Sequence, residues 1–432
     1  MSKYKQSLGF ITAASGIGMF IEVYDFLIFA YLASVLGQVL FPPTPTPIVA
    51  TLQALLVFAV GFLMRPVGSL LFGHIGDKFG RKISFTITLL LMGLSSLGIG
   101  LLPPYSQIGL IATVLLVLFR LLQGLSLGGE FGAAATYIIE FAPSNRRNLF
   151  GSLIQMAWPL GLLAAVITLY INTAIIGTEG LFAYGWRYPF YVAAIIVVVG
   201  VIMRYLLEET PIYKSYAYKK EVLDSPIIGA FKKAWKQILI ILIIQIGQAA
   251  VWYSAYITTF TTFWLNVAKI PYLTTLYAFM IIYFLTSFLY PLSGLLGDRY
   301  GRRHLFRWPL TLAAITIIPL YSIFTLTSNI LILGIVTFIP LIYAATTNAA
   351  LSAVYPELVP ANVRFTSFNF AYQTATAIFG GFIPYISTAI LYFTGSIVLS
   401  VSYVVVVAAI AAIVSWIWLP ETKGVDLGKT IK

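Results

Sequence analysis

Gly73-His74-Ile75-Gly76-Asp77-Lys78-Phe79-Gly80-Arg81-Lys82 returns 221 positions later as Gly294-Leu295-Leu296-Gly297-Asp298-Arg299-Tyr300-Gly301-Arg302-Arg303. Each copy lies between two long apolar runs. A second pair follows each: Glu140 with Arg147, and Glu357 with Arg364, each seven residues apart and offset by 217. The same hairpin at the same place in two halves implies a duplicated bundle whose halves move against each other. That is the architecture of a carrier.

Composition agrees. Of 432 residues 60% are hydrophobic and 9% charged, which excludes a soluble globular or nucleic-acid-binding protein. Twelve apolar spans are readable, at about 8–40, 51–72, 83–103, 107–141, 148–177, 186–207, 237–265, 272–297, 304–326, 329–356, 362–394 and 396–419. The expected fold is therefore an all-α membrane protein, twelve transmembrane helices in two six-helix bundles. Residues 1–207 form the first bundle, 208–236 a cytoplasmic linker with an interfacial helix, and 237–432 the second. Within the linker, Ser225-Pro226 reads as a helix start. The following Ile227–Lys236 stretch alternates apolar and basic positions, as in a helix lying on the membrane surface.

The net charge of +12 is a topology signal. With a cytoplasmic N-terminus, the Lys and Arg of both turns and of the linker fall on one side, while the opposite connections carry Arg187 and Lys269. The positive-inside rule then puts both termini in the cytoplasm of a multi-pass cell-membrane protein. A nucleic-acid role is excluded on the same ground. There is no cysteine, so thiol chemistry is ruled out. The first span lacks a small-residue cleavage site and reads as a retained helix. No metal-ligand cluster and no nucleophile–base arrangement are evident, so neither a metal, a cofactor nor an enzyme is expected.

Charges within hydrocarbon are costly and mark function by default. Five fall well inside the spans: Glu22, Asp25, Arg65, Arg120 and Glu130, all in the first half. At about 1.5 Å per residue, Asp25 and Arg120 lie ~25 and ~30 Å from the cytoplasmic ends of their helices and can face each other. Three acids stand against two guanidiniums, so one carboxyl lacks a fixed cationic partner. Glu22 and Asp25 share one helical face, and two carboxylates so close cannot both ionise cheaply. Proton coupling through Asp25, Glu22, Arg120 and Glu130 is the reading that follows; the plainer alternative is a fixed network stitching helices together.

Polar side chains midway along apolar spans are solute-binding candidates: Gln123 one turn from Arg120, then Gln155, Gln245, Gln248, Asn348 and Gln373, with Arg120 and Arg65 available to a carboxylate. Aromatics accompany them at Trp158, Trp252, Tyr253, Tyr256 and Tyr372. The duplicated turn is a candidate latch formed by Asp77, Arg81, Glu140 and Arg147, and by Asp298, Arg302, Glu357 and Arg364. Each aspartate is expected to pair with a basic residue of the neighbouring hairpin.

These residues resemble a known family. The turn is similar to the signature loop of the major facilitator superfamily, and Arg120-x-x-x-Gly124-x-x-x-Gly128 resembles its fourth-helix motif. Within it the likeness is greatest to the metabolite:proton symporters. It is carried by Glu22-Val23-Tyr24-Asp25-Phe26, Arg65-Pro66-Val67-Gly68, Arg120 to Glu130, Val363-Arg364-Phe365-Thr366 and Ala371-Tyr372-Gln373. That family usually has Trp at the place of Val23 and Asn at that of Gln373. The ending Leu419-Pro420-Glu421-Thr422-Lys423-Gly424 also resembles the sugar porters, as do Gln155 and Gln248 at positions like sugar-binding amides. The resemblance implies a secondary transporter working by alternating access, with Asp25 and Arg120 as the proton-linked pair. The expected cargo is a small polar metabolite, an organic acid or zwitterion, carried with a proton; a sugar symporter or an uncoupled uniporter is the alternative. Its partners are then the small-molecule substrate, protons and the lipid bilayer, and one complete bundle suffices as a monomer.

Overall fold

A computed structural model describes residues 7–44, 46–79, 81–205, 226–360, 363–425 and 427, with side chains left out at 76–79, 81–82, 85, 203–204 and 226–227. Among them, eleven helices are long and apolar enough to cross a membrane, and Thr86–Leu101 adds a shorter apolar one. In chain order the spanning helices are α1 Leu8–Tyr31, α2 Pro47–Phe79, α3 Arg81–Leu101, α4 Leu110–Phe141, α5 Arg147–Ala183 and α6 Tyr188–Tyr205 in the first half. The second half holds α7 Pro226–Tyr253 with its continuation Ser254–Val267, α8 Tyr272–Tyr300, α9 His304–Ser322, α10 Ile330–Leu358, α11 Arg364–Thr394 and α12 Ile397–Ile417. Large apolar side chains such as Leu94, Ile175, Leu331 and Phe393 are exposed, while Asp25, Arg120, Gln155 and Thr262 are fully buried. Such an outside matches hydrocarbon, and most of the buried polar groups are bonded to one another within.

Two seams join the halves. One runs between α2 and α11, the other between α5 and α8, with α10 adding to the α5 side. The duplication maps α2 onto α8 and α5 onto α11, so the two seams are the same contact made twice. Both extend to each end of the bundle: Ala157–Ala183 meets Tyr272–Ser287, and Arg147–Gln155 meets Leu289–Tyr300. Among the described residues the seams therefore hold the halves together at both faces.

Sequence and structure part at several breaks. The span read as 8–40 ends at Tyr31, where Leu32 leaves helical geometry, and a short helix Ala33–Val39 follows. The expected linker lies largely outside the described residues, but its last part is seen. Pro226–Tyr253 bends at Ala234 (φ −132°, ψ 20°), which divides the basic Lys232–Lys233 stretch from the spanning part. Pro159 and Pro384 sit just beyond the breaks of α5 at Met156 and of α11 at Gly381–Phe382. A proline ring removes the amide that would have bridged each break. Beyond Tyr253 the chain runs as a fourteen-residue π-helix, Ser254–Val267. Its loosened carbonyls are taken up by side chains: Thr259 Oγ1 donates to Ser254 O at 2.9 Å and Asn266 Nδ2 to Thr261 O at 2.7 Å.

Within the first half, α2 and α4 approach backbone to backbone. A Cβ at Gly124 would fall on the Gly61 carbonyl oxygen, and one at Gly128 on the Arg65 carbonyl. Small residues allow this approach, which sets Arg65 and Arg120 on adjoining helices. Gly124→Val is expected to destabilise the fold by at least the ~1–3 kcal/mol of an overpacked core. The check is the unfolding temperature and monodispersity of the purified variant in detergent; an unchanged protein would refute the close contact.

Candidate functional site

Polar groups gather at three levels along the seams. At the face carrying the repeated turns, Asp298 stands at the N-terminus of α5, where its Oδ2 accepts the Leu149 N–H at 2.9 Å and its Oδ1 the Asn148 N–H at 3.2 Å. A carboxylate there caps the helix across the seam and complements its dipole. Asn148 Nδ2 donates to the Gly294 carbonyl at 3.1 Å. Arg302 ties this cap to α10: it pairs with Asp298 at 3.0 Å and with Glu357. Glu357 also faces Arg147 of the first half at 3.5 Å, and Arg147 donates to the Val425 carbonyl at 2.8 Å. Burial lowers the Arg302 guanidinium, but the Glu357 and Asp298 carboxylates outweigh it and hold it above the usual arginine range.

The latch expected from the sequence thus differs in its wiring. Asp298 crosses to backbone amides, and Glu357 is the acid that meets an arginine of the other half. Arg364 donates to the Pro356 and Leu427 carbonyls at 2.9 and 2.7 Å. Glu140 lies half-buried at the end of α4. Asp77 and Arg81 fall outside the residues whose side chains are described.

At the opposite face the closure is made of tyrosines. The Tyr283 phenol donates to the Tyr256 carbonyl at 2.8 Å and lies 2.6 Å from the Tyr31 phenol of α1, whose single hydrogen is within reach of both the Tyr283 oxygen and, at 3.3 Å, the same carbonyl. Tyr272 donates to the Tyr31 carbonyl at 3.3 Å, and the Tyr31 ring packs on Phe260 at 4.4 Å. Outside this plug a cavity of ≈ 280 Å³ is lined by Ser34, Thr51, Thr261 and Asn266 among others.

Between the closures lies a small central cavity bounded by Trp158, Gln245, Gln248, Trp252, Tyr253, Asn348, Tyr372 and Thr376. Its volume is ≈ 10 Å³, about the room of one water. The amides occupy one another instead. Gln245 Nε2 donates to Gln248 Oε1 at 2.9 Å and to Thr376 Oγ1 at 3.1 Å, while Tyr355 donates to Gln245 Oε1 at 3.0 Å. Gln248 reaches Asn348 at 3.4 Å. The Tyr290 phenol receives Asn348 Nδ2 at 3.4 Å and the Trp252 indole N–H at 3.5 Å. Trp158 and Trp252, from opposite halves, meet edge to face at 5.0 Å.

Six of the sequence-derived solute contacts therefore converge: Trp158, Gln245, Gln248, Tyr253, Asn348 and Tyr372. The others lie elsewhere. Gln155 crosses the seam to Ser352 at 3.1 Å, below the cavity. Gln373 donates to the Leu127 carbonyl at 3.0 Å, locking α11 on α4. Arg65 stands behind the cavity wall, its guanidinium 4.0 Å from the Phe62 ring and within side-chain hydrogen-bonding reach of Tyr253. Thr376, Tyr290 and Tyr355 were not singled out by the sequence. Hydroxyls recur throughout these spans, and no local pattern separates the ones that face the cavity.

The buried charges of the first half form their own cluster. Asp25 and Arg120 do not touch directly; the Gln123 amide stands between them, accepting from Arg120 Nη1 at 2.8 Å and donating to Asp25 Oδ2 at 2.7 Å. Arg120 lies over the Phe26 and Phe29 rings at 3.9 and 4.3 Å, and these rings screen it from the cavity. Glu130 accepts from Thr88 at 3.3 Å, and Glu22 is buried in α1.

Since the chain has no cysteine, single introduced thiols report on each face. Asp298→Asn weakens a helix-end carboxylate worth ~0.3–2 kcal/mol. It is expected to raise maleimide labelling of Ser352→Cys, beneath the turn-face closure, by roughly two- to thirty-fold. Tyr31→Phe is expected to act oppositely, opening the far face and exposing a cysteine at Thr376, which lines the central cavity inside the plug. Equal labelling in variant and parent would show that these contacts close nothing.

The sequence matches the profile of the Major Facilitator Superfamily over residues 8–384. It is 34% identical over 385 residues to the inner membrane metabolite transport protein YhjE of Escherichia coli, covering 87% of this chain and 86% of that one. A putative proline/betaine transporter of Staphylococcus haemolyticus is 31% identical over 96% of this chain and 88% of its own. Among solved structures, the proton:xylose symporter XylE bound to 6-bromo-6-deoxy-D-glucose has the same fold, with a TM-score of 0.79 at 18% identity and 98% coverage of each chain. A partially occluded inward-open XylE from E. coli gives 0.77 at 19% identity, covering 97% of this chain and 99% of that one. The chain belongs to the Major Facilitator Superfamily, in its metabolite-transporter branch, and is a multi-pass membrane transporter, not an enzyme.

Proposed function

We propose that this protein is a proton-coupled symporter that carries a small polar metabolite, an organic acid or zwitterion, across the cell membrane by alternating access. Residues 1–207 and 237–432 are its two moving bundles, 208–236 is their tether, both termini are cytoplasmic, and one chain is the working unit. The observation that carries this reading is the separation of two sites. A neutral cavity lies on the seam between halves, and a buried acid–amide–guanidinium chain lies behind it in the first half. Solute and proton then act on different groups, as symport requires, and only their differential affinity for the two open states couples them. Arg65, beside Tyr253 at the cavity edge, is the group that would draw a carboxylate inward. Protein relatives named for metabolite and proline/betaine transport support this cargo class.

The cavity wall itself favours a second reading. Gln245, Gln248, Asn348 and the Trp252 indole are neutral donors and acceptors suited to hydroxyls, so a sugar is the competing cargo. Proteoliposomes with an imposed pH difference decide among proline, glycine betaine, a dicarboxylate and xylose. The cargo is the compound that accumulates when the outside is acidic. Asp25→Asn is expected to abolish that accumulation while leaving exchange of labelled for unlabelled solute. Accumulation that persists in the variant refutes the coupling role of Asp25, and flux in the parent that ignores the pH difference identifies a uniporter.

A further inference from the structure

Gln123 is fully buried and every hydrogen of its amide is committed. Nε2 donates to Asp25 Oδ2 at 2.7 Å and to Ser96 Oγ at 2.9 Å, and Oε1 accepts from Arg120 Nη1 at 2.8 Å. A guanidinium only donates and a carboxylate only accepts, so the amide has one possible orientation between them. Neither Gln123 nor Arg120 is among the residues that line the central cavity.

We propose that Gln123 is a positioning residue of proton coupling: an amide bridge through which the charge of Asp25 is felt at Arg120, and not a contact of the solute. The proposal rests on the proton-symport reading above. No described protein group bonds Asp25 Oδ1, whereas Oδ2 is held by Gln123. A proton arriving from the open side therefore adds to Oδ1, the carboxylate becomes a neutral acid, and the same proton later departs from Oδ1. Neutralisation makes Oδ2 a weaker acceptor, since hydrogen bonds to ionised groups are roughly twice as strong as neutral ones. The amide then loses the polarisation that made Oε1 a good acceptor for Arg120. Arg120 Nε and Nη2 have no hydrogen-bond partner, so the bond to Gln123 is the one directed polar contact that ties its guanidinium to this cluster.

The groups facing Asp25 are few. Arg120 of α4 is the charge nearest it, Arg65 of α2 lies in range of Arg120, α3 presents the neutral Ser96, and Tyr24 precedes it on α1. Glu22 lies one turn earlier on the same helix. Among the described residues, Arg120 is the cation that acts on Asp25.

Infrared pH-difference spectra of the full-length protein in lipid test the bridge without any solute. The protonated-carboxyl stretch that Asp25→Asn removes belongs to Asp25. In Gln123→Met, which keeps bulk and deletes the amide, the pH midpoint of that band is expected to move by about one unit or more, the worth of one hydrogen bond to a charged group. Gln123→Leu, which also deletes the amide without adding a carboxyl, serves the same readout should the methionine variant fail to fold. A midpoint unchanged in the folded variant overturns the bridge. A parent protein in which Asp25→Asn removes no band overturns instead the coupling role of Asp25, and with it the reading on which the bridge stands.

Discussion

Hydrocarbon supplies no hydrogen bonds, so each polar group inside this bundle must be satisfied by another part of the protein. That constraint arranges everything else. It turns the surface apolar and forces side chains that would bind a solute to bind one another while the cavity is closed. It also makes each closure of the seam a set of defined polar contacts. Asp298 satisfies two amides at the start of α5 that water would otherwise have to reach, and Tyr31 and Tyr283 share the carbonyl of Tyr256. Opening either face must replace these partners by water, which is available only at that face.

The duplication is symmetrical in backbone and unsymmetrical in chemistry. Its two seams are equivalent, yet buried charge in the membrane interior is confined to the first half and the second half gives mostly amides, phenols and hydroxyls to the cavity. A charged cluster needs a rigid setting, because a lost partner leaves an uncompensated charge at a cost of ~3–5 kcal/mol. The backbone contact of α2 with α4 at Gly124 and Gly128 provides that setting. The second half is looser at the cavity wall: two π-helical stretches, Ser254–Val267 and Thr376–Gly380, adjoin the cavity.

Much of this was legible in the sequence, for identifiable reasons. The ten-residue turn fixed the pairing of α2 with α8, and hydropathy located the spans, because length and charge in a bilayer are strongly constrained. Amides in apolar runs pointed to Gln245, Gln248 and Asn348, since such groups are rarely placed there without a partner. Contacts between helices were the part that spacing could not give. Gln123 looked like a solute ligand because it lies one turn from Arg120; only the packing of α1, α3 and α4 places Asp25 and Ser96 against its amide. Tyr31 and Tyr290 were hidden among 27 tyrosines. Across the seam the partners of Asp298 are backbone amides, and no side-chain pattern announces those.

The small volume of the central cavity follows from the same constraint. A solute cannot simply fill ≈ 10 Å³; it must part Gln245 from Gln248 and Asn348 from Gln248, and then supply the hydrogen bonds those amides exchange among themselves. The contacts within the wall are uneven: 2.9 Å between the glutamines, but 3.4 to 3.5 Å around Asn348, Trp252 and Tyr290. Long bonds are weak bonds. A ligand that engages the Asn348–Trp252–Tyr290 corner therefore gives up little and gains full-strength bonds, while one that must separate the glutamines pays nearly what it gains. On the function proposed, that corner is where a cargo would be selected, and the glutamine pair would set how readily the empty carrier closes.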